Sequence, residues 1–66
     1  MKNFRQKVKR LRKKKGWTQE DMAHQIGVSL STVQRWEKRG GNPIRIVARE
    51  LSRLFKETGI DGGEEM

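Results

Sequence analysis

Ser31, Gln34, Arg35 and Lys38 fall on one side of a short stretch whose Val33 and Trp36 fall on the other. A hydroxyl, a carboxamide, a guanidinium and an ammonium can donate or accept hydrogen bonds and carry positive charge, but none is a nucleophile paired with a base. Their chemistry is therefore recognition of a polar, anionic partner. The rest of the chain adds nothing for bond-breaking chemistry: it has one histidine, no cysteine and no tyrosine. It also lacks a glycine-rich phosphate loop and metal-ligand spacing. His24 stands alone on an outward helix face and reads as a surface residue. No catalytic residue, cofactor, metal or small-molecule ligand is expected.

A recognition edge needs a rigid support, which residues 18–38 can provide. Thr18 is suited to cap a helix, and Glu20 and Asp21 follow in its first turn, where negative charge complements the helix dipole. That helix starts at about Gln19. Met22, Ala23 and Ile26 share its inner face, while Glu20, Asp21, His24 and Gln25 turn away. Gly27 can take the left-handed conformation that a sharp reversal requires, so the turn is Gly27-Val28-Ser29. Ser29 caps the next helix, from about Leu30 to Lys38, with Val33 and Trp36 inward and Glu37 beside them. Two helices joined by a short glycine-containing turn, the second with an outward polar edge, form the helix-turn-helix plan for entering the major groove of DNA.

The run Gly16-Trp17-Thr18-Gln19-Glu20-Asp21-Met22-Ala23, then Ile26-Gly27-Val28-Ser29, then Thr32-Val33-Gln34-Arg35-Trp36-Glu37 closely resembles the Cro/CI (Xre) family of bacterial and phage repressors. With Leu11-Arg12 upstream and Pro43 to Phe55 downstream, the likeness covers nearly the whole chain. It implies an all-α fold, a compact bundle of four or five short helices of lambda-repressor-like type. It also implies sequence-specific binding of double-stranded DNA by a repressor-like regulator.

Such a protein holds phosphates for position and reads base edges for sequence. Capped helix starts attract phosphate oxygens, which nominates Thr18, Gln19 and Ser29. The resemblance implies that Gln19 bonds a phosphate and also buttresses the start of the third helix. Thr32 at the rim, Lys38 and Arg39 beside the Arg39-Gly40-Gly41-Asn42-Pro43 loop, and Arg45 complete the phosphate set. By the same resemblance Leu30, Ser31 and Arg35 meet bases, with Gln34 nearby. Arg35 can donate twice to a guanine, Gln34 can read adenine, and Leu30 can only touch a thymine methyl or pack. Arg12 and Glu37 occupy positions resembling the family's partly buried ion pair. An alternative for the loop is a plain connector, and for Trp17 an exposed base-stacking role instead of packing between the first two helices.

The charge agrees with an anionic partner. Lys and Arg total 16 against 8 acids, a net charge of +8 with a sequence pI near 10.7, and such a field favours polyanions. A chain of 66 residues, 32% apolar, allows one small domain with a compact core. The first fifteen residues hold nine cations and no acid, yet Phe4, Val8 and Leu11 recur at helical spacing, so this is a helix with its lysines in water. A fourth helix should run from Ile44 or Arg45 to Glu57, burying Val47, Ala48, Leu51, Leu54 and Phe55. Gly59 and Ile60 would close it, and Ile46 falls on its outward side, either before the first regular turn or as a contact with a partner. The domain is expected to span 1–60, followed by a disordered acidic tail over 61–66.

Three rivals frame this reading. An antitoxin or protein-interaction subunit would need an exposed apolar patch, for which Ile46 is the conspicuous candidate. RNA binding would need an aromatic platform, and none is evident. A membrane-surface role would need a large apolar face. No apolar run suits a span or signal peptide, so the expected location is the prokaryotic cytosol or nucleoid. Little sequence follows the fourth helix, so a monomer or weak homodimer on DNA is expected.

Overall fold

The computed structural model describes residues 3–60. They form α1 (Phe4–Lys15), α2 (Gln19–Ile26), α3 (Leu30–Arg39) and α4 (Arg45–Glu57), with no strand among them. The all-α expectation holds, with four helices, α3 one residue longer than expected and α4 starting at Arg45 with Ile44 as its N-cap. The acidic tail, residues 61–66, lies outside the described residues. No described helix is long and apolar enough to cross a membrane.

Local chemistry explains where the helices begin and end. Thr18 Oγ1 accepts from the Asp21 N–H at 2.9 Å, and the Asp21 carboxylate accepts from the Thr18 N–H at 3.0 Å. Asp21 thus closes a reciprocal capping box as well as complementing the dipole. Gly27, at φ 87°, ends α2, and the N–H groups of Gly27 and Val28 both donate to the Ala23 carbonyl. Ser29 Oγ accepts from the Thr32 N–H at 3.1 Å and starts α3. At the far end, the Ile60 N–H reaches back to the Phe55 carbonyl at 2.8 Å, and Ile60 is buried against the core as expected.

The core lies where the four helices meet. It joins Phe4, Val8 and Leu11 to Met22, Ala23, Val33, Trp36, Leu51, Leu54, Phe55 and Ile60, with Trp17, Ile26, Val28 and Val47 at its edge. Trp36 meets Phe4 edge to face, with ring centroids 5.5 Å apart. Trp17 packs half-buried, and Lys15 Nζ stands 5.7 Å from its ring centroid. Burial of a side chain such as Val33 or Leu11 contributes roughly 1.5–3 kcal/mol. These contacts fix α3 about its own axis, so its opposite side must face outward.

Two expectations need correction. Lys7 is buried, not in water. It follows Phe4 by three residues and precedes Leu11 by four, which places it on the inner side of α1. Ile46 lies inside α4, so it does not precede the first regular turn. It is 76% exposed, and Ile44, which the sequence did not single out, is 72% exposed.

Candidate nucleic-acid interface

Residues of α3 divide sharply. Val33, Trp36 and Glu37 are buried, whereas Leu30, Ser31, Gln34, Arg35, Lys38 and Arg39 are exposed. Along the exposed side runs an open groove lined by Ser31, Gln34, Arg35, Lys38 and Arg39 from α3, with Gln19 from α2 and Lys9 from α1. Glu37 also lines it. Lys9 was not singled out in the sequence, because a position on α1 says nothing about α3 until the two helices are packed together.

Glu37, which lines this groove, belongs to a braced ion pair. Arg12 Nε donates to Glu37 Oε2 at 2.6 Å and Arg12 Nη2 to Glu37 Oε1 at 3.1 Å, a two-pronged contact from α1 to the end of α3. Gln19 Nε2 donates to the same Glu37 Oε1 at 3.1 Å, and Arg12 Nη1 reaches the Trp17 carbonyl at 3.4 Å. Gln19 therefore braces the end of α3, and not its start. From the first turn of α2, the long acceptor in reach is the Glu37 carboxylate. The carboxamide keeps a second N–H, which Glu37 Oε1 does not use.

At the starts of α2 and α3 the caps leave part of each first turn open. The Gln19 and Glu20 N–H groups, and those of Leu30 and Ser31, make no hydrogen bond within the described residues. Ser29 Oγ also lies 3.2 Å from Ser31 Oγ and 2.8 Å from Thr32 Oγ1, so three hydroxyls cluster at the head of α3. Leu30, beside them, is 38% exposed.

Beyond α3 the loop is pinned. Arg5 Nη1 donates to the Lys38 carbonyl at 3.1 Å, capping the C-terminal end of the helix. Gly40 turns away with φ 80° and ψ −138°, and a Cβ there would lie 3.1 Å from Arg5 Cγ. The glycine is needed both for its backbone and for the close passage of Arg5. Arg39 borders a second notch with Asn3, Arg5, Gly40 and Gly41. Arg45 stands apart from these residues, on a groove along α4. His24 is exposed.

A model of the Cro/CI-type helix-turn-helix family matches residues 8–61. The chain is also similar to the HTH-type transcriptional activator BcrR of Enterococcus faecalis, 36% identical over an alignment of 66 positions that covers 96% of this chain and 32% of that protein. It thus spans about a third of that relative's length. No solved structure matches it at the same significance. The match over residues 8–61 takes in all of α2, the Gly27 turn, α3 and α4, and on it the chain belongs to the Cro/CI-type helix-turn-helix family.

Proposed function

We propose that this chain binds double-stranded DNA as a transcriptional regulator, laying α3 in the major groove. The single observation that carries the reading is the division of α3: a buried Val33, Trp36 and Glu37 side, and an exposed Ser31, Gln34, Arg35 and Lys38 side left open to a partner. On this reading Leu30, Ser31, Gln34 and Arg35 meet base edges. Thr18, Gln19, Ser29, Thr32, Lys38 and Arg39 hold phosphates on either flank, helped by the open N–H groups of the two first turns. Arg45 lies outside the α3 groove, so its phosphate role rests on its place just after the loop. Gln19 has one amide proton on Glu37 and a second for a phosphate, so docking would not break the brace.

The relative's name is that of an activator, so the repressor-like expectation widens to regulator. Nothing about that relative favours the antitoxin reading. The chain would work as a monomer or weak homodimer on DNA, in a prokaryotic cytosol or nucleoid. The test is Arg35→Ala, assayed on a preferred site and on mixed-sequence duplex at one salt concentration. A guanine opposite Arg35 predicts a loss of roughly 1–3 kcal/mol on the preferred site and far less on mixed sequence. Equal losses on both would assign Arg35 to the backbone alone.

A further inference from the structure

The outer side of α4 is a second surface, separate from the α3 groove. Arg45, Ala48, Arg49, Ser52, Arg53 and Lys56 line a shallow groove there and share no residue with the groove beside α3. Arg53 is occupied by its own helix, with Glu50 and Glu57 each 2.6 Å from its guanidinium. Glu50 first, then Glu57, raise its pKa further above its already high ordinary value, so its charge is fixed. Arg45, Arg49 and Lys56 form no ion pair among the described residues. No acid lies among the groove residues, and those other than the cations are the half-buried Ala48 and the exposed Ser52. At the head of the same helix Ile44 and Ile46 are 72% and 76% exposed, with Arg45 between them.

From Arg45 to Lys56 the strip covers about 16 Å, or three helical turns. Three cations around two small residues, headed by two bare isoleucines, are more than phosphates require. A phosphate contact uses charge and N–H groups and has no use for an isoleucine. A second copy of this chain would bring the same cations against these and be repelled. We propose that this face docks an acidic, amphipathic helical segment of a partner protein, its carboxylates on Arg49 and Lys56 and its apolar residues on Ile44, Ile46 and Ala48. The two surfaces let one small domain hold DNA on α3 and a protein on α4 together.

The probe is a synthetic helical peptide of roughly 14 residues, with leucines on one face flanked by glutamates, titrated into the isotopically labelled chain and followed by amide chemical shifts. The proposal expects shifts at Ala48, Arg49 and Ser52 that persist when a mixed-sequence duplex is bound as well. It also expects Arg49→Glu with Ile46→Ser to weaken the peptide about tenfold or more while leaving duplex affinity within about twofold. Several results would overturn it. These are no binding, shifts at Gln34 and Arg35 with displacement by duplex, or equal binding of the peptide with lysines in place of glutamates. So would tighter binding through the same residues to phosphatidylserine vesicles, or concentration-dependent shifts at Ile44 and Ile46 without peptide. The duplex arm is read separately, so failure on α4 leaves the DNA reading intact and loss of duplex binding leaves α4 to be judged alone.

Discussion

Replacing Arg12 by alanine would remove the brace between α1 and α3 and strand the carboxylate of Glu37. That side chain is 6% exposed and Arg12 20%, and only the Gln19 carboxamide would remain on Glu37. Breaking a buried pair from one side costs roughly 3–5 kcal/mol. Arg12 is a fifth exposed, so water can enter the vacated space, and we place the loss at about 2–3 kcal/mol. The whole domain should hold only about 3–10 kcal/mol at this length. A loss of that size should lower Tm by on the order of 10–20 °C, read by thermal melting at 222 nm or any far-ultraviolet helix signal. Hydrogen exchange should quicken first in the last turn of α3, where Glu37 anchors the helix. Exchanging both partners together, Arg12→Met with Glu37→Met, removes the stranded charge and should be less harmful than the single change. A Tm drop below about 3 °C for Arg12→Ala would place the pair among ordinary surface pairs and refute the brace.

Three further outcomes follow from the same geometry. Arg39→Ala should weaken binding to all duplexes alike and flatten the salt dependence by about one unit of slope, and an unchanged slope would remove Arg39 from the phosphate set; Lys9→Ala should do the same if this groove-lining cation also meets a phosphate, and an unchanged slope would show that it does not. Gly40→Ala should destabilise by about 1–3 kcal/mol, since φ 80° with ψ −138° is closed to alanine and Arg5 crosses above it. A Tm equal to wild type would show that the loop relaxes freely. Ser29→Ala should cost about 1 kcal/mol in stability by opening the head of α3, measured by urea denaturation, and a change under a few tenths would show that the cap bond to the Thr32 N–H adds little.

Much of the fold could be read from single residues because it is decided within a turn or two. Thr18, Ser29 and Gly27 mark α2 and α3 through bonds to neighbours no more than five residues away, and the Val33 and Trp36 spacing gives the buried side of α3 directly. What escaped depends on how the helices lean on one another. Gln19 sits in α2, but its partner is at the end of α3, a pairing set by the interhelical packing. Lys9 enters the α3 groove, Arg5 caps α3 and Lys14 Nζ reaches the Thr58 carbonyl at 3.1 Å, all from a basic run that looked uniformly solvated. Lys7 was buried for a reason visible in the spacing, but its charge concealed it. Ile44 was overlooked because it precedes the helix, outside the periodic pattern.

Selection from a random duplex library at stated salt tests the central idea most directly, that the exposed edge of α3 reads bases. Wild-type protein should enrich one short motif containing a guanine whose replacement matters only while Arg35 is present, with inverted copies if a second chain joins. Recovery of no motif, with all duplexes bound alike and salt alone setting affinity, would contradict it.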